Sequence, residues 1–314
     1  MNLSGVFPAL TTPFSADGSV SIEDLKHNIS KYNATGLAGY VAIGSTGESV
    51  LLSRKEVETV LVAVKESAAP GKLLIAGTGA ESTRETMERT KRAAELGYHF
   101  ALVKTPYYYK PAYKPEAYIA HFRRVADASP IPVILYSVPQ FTGVALEAPE
   151  VGVLALHPNI VGIKESSGNV QRAAEMLDAV PPSFEILVGS ASMMFPSMVL
   201  GAVGAILALA SPLPELCVAV FDAVRKGDLE KARALQSTIL PASKVIVSQC
   251  GIPGVKYAMD QAGYRGGLPR LPLPPLQEDQ RKAIRELMAK LEAHAPPRLP
   301  APSPSKPGML IAAL

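Results

Sequence analysis

Apolar runs of four to six residues alternate with longer amphipathic runs over the first 225 residues of the chain. The apolar runs carry almost no charge, a pattern typical of parallel strands that are buried on both faces. Eight of them are predicted as strands, at residues 5–10, 39–43, 73–77, 100–103, 133–137, 160–164, 185–189 and 204–208.

Each apolar run is followed by a segment whose periodicity is typical of a helix with one buried face. The eight helices predicted in this way cover residues 22–35, 53–69, 84–96, 115–128, 148–156, 170–180, 193–200 and 212–225. The second of them has a clear start, because Ser53 is followed three residues later by Glu56, the pattern of a capping box.

Regular alternation of strands and helices predicts a parallel sheet, because each return to a parallel strand needs a crossover. Eight such units within 225 residues favour a closed barrel over an open doubly wound sheet. The doubly wound alternative needs a phosphate loop, but Gly77-Thr78-Gly79 is followed by Ser82 where a third glycine is required. We therefore predict an α/β fold, a (β/α)8 TIM barrel with a C-terminal helical extension.

The alternation ends after Arg225, and the remainder of the chain predicts helices without strands. Helical periodicity occurs at 228–240, 253–261 and 277–294, and the proline-rich stretch 266–276 is predicted to be extended. From residue 295 the composition predicts a loose, Pro-rich tail. The predicted domains are a catalytic barrel at 1–225, a helical domain at 226–294 and the tail at 295–314.

The composition is that of a globular protein with a large core, since 48% of the 314 residues are hydrophobic and 19% are charged. A net charge of +3 is too small to predict nucleic-acid binding. No membrane span is expected, because glycines, prolines and a glutamate interrupt the most apolar stretch, 198–220. The chain starts without a targeting pattern and has two cysteines without ligand-type spacing, so we expect a reduced, cytoplasmic location.

Lys164 closes the sixth predicted strand, directly after four uncharged residues. The carboxyl ends of the strands form the active-site face of such a barrel, so Lys164 is predicted at its mouth. Burial favours the neutral amine, which is a nucleophile that can form a Schiff base with a carbonyl substrate. A strand-end lysine can also extend its ammonium into water, so position alone leaves both interpretations open.

Other strand ends carry groups that suit a carboxylate and a carbonyl. After the second strand, glycines at 44–49 let the backbone approach a ligand, and the Ser45 and Thr46 hydroxyls can hold an anion. Tyr136, near the end of the fifth strand, can transfer protons beside Lys164. A tight turn and a core tyrosine would use the same residues, so these alternatives stay open. The five histidines lack metal-ligand spacing, and no metal site is predicted.

Four motifs, in this order along the chain, resemble the dihydrodipicolinate synthase / N-acetylneuraminate lyase superfamily of class I pyruvate aldolases. They are GSTGE at 44–48, TPYY at 105–108, YSVP at 136–139 and GIKE at 162–165. The resemblance covers the chain from about residue 3 to about residue 291. It implies a (β/α)8 barrel with a C-terminal helical domain, a homotetramer built as a dimer of dimers, and a lysine Schiff base with pyruvate that needs no added cofactor.

The resemblance also implies roles for individual residues. Lys164 corresponds to the Schiff-base lysine, and Tyr136 to the tyrosine that relays protons to the imine. Thr46 corresponds to the threonine that links Tyr136 to a second tyrosine, Tyr108, which a neighbouring subunit supplies. The substrate-binding positions that match are Ser45, Thr46, Ser166, Gly189 and the backbone of Ile206.

Phe141 departs from the pattern of dihydrodipicolinate synthases, in which this position is an arginine that binds the carboxylate of the second substrate. Phenylalanine cannot pair with a carboxylate. The segments 129–139, 157–164 and 250–256 instead resemble 4-hydroxy-2-oxoglutarate aldolases, although those enzymes typically carry asparagine in place of Thr46. The predicted function is therefore an aldolase that reversibly cleaves a 4-hydroxy-2-oxo acid and releases pyruvate.

Two other functions are alternatives to this prediction. The first is 4-hydroxy-tetrahydrodipicolinate synthase, which condenses pyruvate with aspartate semialdehyde. The second is a non-catalytic barrel that binds an oxo acid, and the joint presence of Lys164, Tyr136, Thr46 and Tyr108 argues against it. The aldehyde partner stays open, because variable loops line that part of such a site.

Overall fold

Eight parallel strands form a single sheet in the computed structural model, which describes residues 2–292. Their bounds are β1 Gly5–Pro8, β2 Gly39–Ala42, β3 Leu73–Gly77, β4 Phe100–Lys104, β5 Val133–Ser137, β6 Ile160–Glu165, β7 Glu185–Val188 and β8 Gly204–Leu207. All eight predicted strands are confirmed, with ends shifted by two residues at most. The tail predicted at 295–314 lies outside the described residues, as do the last two residues of the helix predicted at 277–294.

The sheet curls until its two outer strands meet. Neighbours run in the order β1-β8-β7-β6-β5-β4-β3-β2. Between β1 and β2, the Leu10 N–H donates to the Val41 carbonyl and the Ala38 N–H donates to the Val6 carbonyl, each at 3.0 Å. These bonds bring the two edges together, so the predicted (β/α)8 barrel is confirmed.

Helices follow the strands and cover the outside of the barrel. They are α1 Ile22–Asn33, α2 Arg54–Ser67, α3 Thr83–Glu95, α4 Pro115–Ala128, α5 Pro139–Thr142, α6 Ala148–Leu154, α7 Val170–Ala179, α8 Met194–Leu200 and α9 Pro214–Arg225. The capping box predicted at the start of α2 is present, since the Ser53 N–H donates to the Glu56 carboxylate at 2.8 Å. The four-residue helix α5 was not predicted, because it is too short to show a period.

Two apolar layers hold the barrel together. Alternate strand residues point inward and fill the interior with a cluster that includes Phe7, Ile75, Leu102, Ile134 and Ile206. The other strand residues pack outward against the helices in a larger cluster. The interior is therefore a packed core, and space for a ligand opens only at the ends of the strands.

Three helices and a π-helical segment follow the barrel: α10 Leu229–Ala242, the π-helical segment Ser243–Gln249, α11 Gly251–Gln261 and α12 Glu278–Glu292. Helices were predicted at 228–240 and 253–261, but the segment that joins them was not. Pro241 removes a backbone donor near the end of α10, and the chain continues as a wider π-helical turn.

The C-terminal helices share the outer core of the barrel. Ile246, Val255 and Met259 belong to the same buried cluster as barrel residues such as Leu207. The division of the chain into domains at residue 225 therefore stays a prediction. No helix within residues 2–292 has both the length and the apolar character that a membrane span needs.

Candidate active site

Lys164 lies at the carboxyl end of β6 with its side chain inside the barrel mouth. It pairs in register with Tyr136 of β5 and Leu187 of β7, and both of these belong to the interior cluster. Residues in register on parallel strands share a face, so Lys164 points inward and the next residue, Glu165, points toward the helices. Lys164 is only 5% exposed, and its Nζ atom lies 4.2 Å from the centroid of the Tyr136 ring.

Tyr136 connects the lysine to the loop after β2. Its side chain is buried, and its hydroxyl lies 3.3 Å from the Oγ atom of Ser45, close enough for a hydrogen bond. Thr46, the next residue, lines the space above Lys164. An amine, a phenol and two hydroxyls therefore come together at the ends of three strands.

The loop at 44–48 has a fixed backbone. The Gly47 N–H donates to the Gly44 carbonyl at 3.1 Å, and the Thr12 hydroxyl donates to the Gly47 carbonyl at 2.7 Å. Ile43 and Glu48, which flank the loop core, have φ angles of 58° and 55°. Left-handed backbone at residues other than glycine persists only where surrounding contacts hold it, and it concentrates at functional sites.

A cavity of about 300 Å³ opens above Lys164. Five of the predicted site residues line it: Thr46, Tyr136, Lys164, Ser166 and Gly189. The other lining residues are Val138, Gln140, Phe141, Ser190, Ala191, Ala208, Leu209, Ser243, Val247, Ser248, Gly251, Ile252 and Val255. None of the lining residues except Lys164 carries a charge, so the wall offers apolar surface and neutral hydrogen-bonding groups.

Ser166 lines this cavity and has a buried hydroxyl. The residue is 7% exposed, and its Oγ atom has no hydrogen-bond partner within the described chain. Gly189 makes room for it, because a Cβ atom there would lie 1.7 Å from Ser166 Oγ. A buried hydroxyl without a partner is unfavourable, so this group is suited to a hydrogen bond with a ligand.

Three predicted site residues are not among those that line the cavity. Ser45 lies 3.3 Å from the Tyr136 hydroxyl and lines a neighbouring cavity instead. Ile206 is fully buried among the interior side chains, and Ala208 and Leu209 form the wall on that side instead. Tyr108 is 72% exposed and packs edge-on against Tyr109, with 5.0 Å between the ring centroids. A single chain therefore does not bring Tyr108 to Lys164, and its role in a neighbouring subunit stays a prediction.

Sequence reasoning missed the wall that the C-terminal helices supply. Ser243, Val247 and Ser248 of the π-helical segment and Ile252 and Val255 of α11 all line the cavity. The segment 243–249 lies between two predicted helices and belongs to neither prediction. Its π-helical geometry, a feature that is frequent at functional sites, is seen only in the structure.

A second cavity of about 330 Å³ adjoins the first, and Val138, Phe141 and Ile252 line both. It also contains a second lysine, Lys104. Burial lowers the pKa of Lys104, whereas the Glu81 carboxylate 3.5 Å away acts in the opposite direction. Lys104 thus has an acidic partner, whereas no acidic side chain lines the cavity of Lys164. Residues 2–292 contain no group of three or more His, Cys, Asp or Glu side chains arranged to hold a metal ion.

A buried lysine packed against a tyrosine ring, at the mouth of a (β/α)8 barrel, is the arrangement of a lyase that works through a Schiff base. The chain belongs to the dihydrodipicolinate synthetase family, whose model matches residues 2–291. Members of this family are class I, pyruvate-dependent lyases with a lysine Schiff base, so the prediction of an enzyme of this class is confirmed.

Individual relatives cover most of the chain. The 4-hydroxy-tetrahydrodipicolinate synthase of an Exiguobacterium species is 41% identical over 273 residues, which span 87% of this chain and 92% of the relative. The enzyme of that name from Methanosarcina mazei is 38% identical, with coverages of 90% and 97%. The solved dihydrodipicolinate synthase of Acinetobacter baumannii, complexed with pyruvate, is 33% identical with a TM-score of 0.89, covering 93% of this chain and 99% of that one.

These relatives bear on the choice between the predicted substrates. Their shared name supports 4-hydroxy-tetrahydrodipicolinate synthase, which was the alternative, better than the 4-hydroxy-2-oxoglutarate aldolase that was the main prediction. The superfamily and the reaction class are therefore confirmed, and the main substrate prediction is the less supported of the two.

Proposed function

We propose that this protein forms a Schiff base between Lys164 and pyruvate and condenses the resulting enamine with aspartate semialdehyde, as a 4-hydroxy-tetrahydrodipicolinate synthase. The observation that carries the Schiff-base chemistry is the Lys164 amine, buried at the barrel mouth with its Nζ atom 4.2 Å from the Tyr136 ring centroid. The name shared by the relatives supports the choice of aldehyde.

In the first step, the Lys164 amine gives up its proton, attacks the C2 carbonyl carbon of pyruvate and forms a carbinolamine. The departing C2 oxygen then needs a proton to leave as water. Tyr136 is placed to give this proton and to recover one, and Ser45 lies 3.3 Å from its hydroxyl as the next group in the relay. Acid–base help of this kind accelerates a step by about 10²–10⁴-fold.

In the second step, the protonated imine withdraws electrons, so the methyl carbon of pyruvate loses a proton and becomes the nucleophilic end of an enamine. This carbon attacks the aldehyde carbonyl, whose oxygen takes up a proton. A water molecule or an amine of the product then releases Lys164. In the reverse direction, the same imine accepts the electrons of a breaking C3–C4 bond, which is aldol cleavage.

The Ser45 and Thr46 hydroxyls are proposed to hold the carboxylate of pyruvate, with Ser166 as a further donor to the substrate. Ser45 and Thr46 lie on the fixed loop after β2, and Ser166 Oγ is buried without a partner. Donors held in place before the substrate arrives bind it without reorganisation.

A second candidate is the aldolase that cleaves 4-hydroxy-2-oxo acids, and Phe141 favours it for substrates whose aldehyde half carries no carboxylate. Phe141 lines the cavity, and none of its lining residues apart from Lys164 is a cation. The distal carboxylate of aspartate semialdehyde would therefore meet serine hydroxyls rather than a guanidinium, and neutral donors bind a carboxylate more weakly than charged ones.

Two assays on the purified protein separate the candidates. One mixes pyruvate with aspartate semialdehyde and measures formation of the cyclic condensation product. The other supplies 4-hydroxy-2-oxoglutarate and measures released pyruvate with a coupled dehydrogenase, and Lys164→Ala is the blank in both. The proposal expects the first substrate pair to have a kcat/KM at least about tenfold higher. A higher kcat/KM for cleavage would replace the proposed function with the second candidate.

The assembly is proposed to be a homotetramer in which Tyr108 reaches the site of a neighbouring subunit. Tyr108 and Tyr109 are both exposed in the single chain, beside the mouth of the barrel. Exposed adjacent aromatic residues are typical of an interface. Analytical ultracentrifugation should give a tetramer, and a monomer with full activity would contradict this proposal. The cytoplasmic location likewise stays a prediction.

A further inference from the structure

We propose that Glu48 and Lys256 are a positioning pair, which clamps the loop that carries Ser45 and Thr46 against α11 and thereby sets the affinity of the site for the carboxylate of its 2-oxo acid. The inference rests on the proposed function, in which Ser45 and Thr46 bind that carboxylate. Neither member of the pair lines the cavity above Lys164.

The pair is an ion pair sealed inside the protein. Lys256 Nζ lies 2.5 Å from Glu48 Oε1, and both side chains are 0% exposed. Nζ also donates to the Leu268 carbonyl at 2.8 Å and lies 4.4 Å from the centroid of the Phe14 ring. Burial lowers the pKa of Lys256, and the Glu48 carboxylate acts in the opposite direction by favouring the ammonium. A buried charge is tolerated only with such partners.

Glu48 is also held from a second side. Its Oε2 atom accepts the Arg270 N–H at 2.8 Å. The Arg270 guanidinium in turn donates to the Glu56 carboxylate at 2.6 Å and to the Leu51 carbonyl at 2.9 Å. These contacts hold Glu48 at a φ of 55°, a left-handed conformation that a glutamate rarely adopts without external support.

Lys256 lies on a helix that contributes to the wall of the cavity. Its neighbours on α11, Ile252 and Val255, line the cavity together with Thr46. The chain after α11 packs directly on Lys256, because a Cβ atom at Gly266 would lie 2.0 Å from the Lys256 carbonyl oxygen. Lys256 therefore cannot shift without moving this segment as well.

The ion pair thus joins two walls that come from distant parts of the chain. Ser45 and Thr46 precede Glu48 by only three and two residues, and a short loop transmits a displacement of its end. When the clamp is lost, the hydroxyls should remain but sample more positions. The carboxylate is bound equally before and during the reaction, so this loss should raise KM and leave kcat nearly unchanged.

The decisive variant is the double substitution Glu48→Gln with Lys256→Met, which removes the clamp without leaving a lone buried charge. The matched control is Lys72→Met. Lys72 is a half-buried lysine that donates to the Leu37 and Thr35 carbonyls at 2.6 and 3.1 Å, but it precedes β3 at the opposite end of the barrel. Single variants Lys256→Met and Glu48→Asp complete the set, and Glu48→Asp keeps the charge but shortens the arm by one methylene.

The readout is the reduced pyruvate adduct on Lys164, measured by mass spectrometry over a pyruvate titration with borohydride, so it is independent of the aldehyde. The double variant should need about tenfold more pyruvate for half-maximal labelling and reach the same maximum, with Lys72→Met like the wild type. If the pyruvate concentration for half-maximal labelling is unchanged in the double variant, the clamp is refuted. Should the double variant not fold, an unchanged concentration in Glu48→Asp refutes it. Absence of any adduct in the wild type instead refutes the proposed function.

Discussion

Removing the hydroxyl of Tyr136 isolates the proton relay from the rest of the site. In Tyr136→Phe the ring stays buried over Lys164, and only the contact to Ser45 Oγ at 3.3 Å is lost. A neutral hydrogen bond of this length contributes about 1 kcal/mol or less to stability. Loss of a general acid–base group, in contrast, slows the reaction by about 10²–10⁴-fold, or roughly 3–5 kcal/mol in the barrier.

The assay measures kcat at saturating pyruvate and aldehyde, together with thermal unfolding. Tyr98→Phe is the matched control, because Tyr98 is also a buried tyrosine and its hydroxyl donates to the Leu61 carbonyl at 2.9 Å, far from the cavity. We expect both variants to fold with similar melting temperatures and only Tyr136→Phe to lose activity. Activity of Tyr136→Phe within about threefold of wild type would refute the relay, because so small a loss is below the range for a general acid.

Three further predictions concern single residues. Burial lowers the pKa of His121 from 6.5 to about 4. Between pH 6.5 and pH 4, the unfolded state therefore binds a proton that the folded state does not bind. The unfolding free energy should fall by up to about 3 kcal/mol as the pH drops from 6.5 to 4, and His121→Gln should flatten this slope in denaturant titrations. Gly189→Ala should displace the Ser166 hydroxyl, since the new Cβ would lie 1.7 Å from it, and should thereby lower kcat/KM. A wild-type kcat/KM would contradict this prediction. Phe141→Arg should raise kcat/KM for aspartate semialdehyde by about tenfold or more through a charge-assisted bond, and no increase would show that Phe141 does not face the distal carboxylate.

The strands of the barrel were predictable because each is buried on both faces. β3 and β5 begin and end at the residues that their apolar runs predicted, and Lys164 follows from its place at the end of β6. In such a fold the ends of the strands necessarily meet, so local patterns determine which side chains share the mouth. The positions of Tyr136 and Thr46 beside Lys164 follow from the same rule.

The parts that were missed depend on contacts that no local pattern encodes. Ser243 and Ser248 reach the cavity only because the C-terminal helices fold back over the barrel. The depth of Ile206 is set by its register with Phe7 on β1, which places it inside the core rather than at the mouth. Tyr108 is exposed in the single chain, and its proposed partner belongs to another subunit.

The central claim is that Lys164 forms the imine, and trapping with borohydride in the presence of pyruvate tests it most directly. Peptide mapping should find one reduced pyruvyl adduct, on Lys164, and Lys164→Ala should remain unlabelled. The second lysine at the strand ends, Lys104, serves as an internal control, because Glu81 lies 3.5 Å from its Nζ atom. An adduct on Lys104 instead, or no adduct on the wild-type protein, would contradict the account.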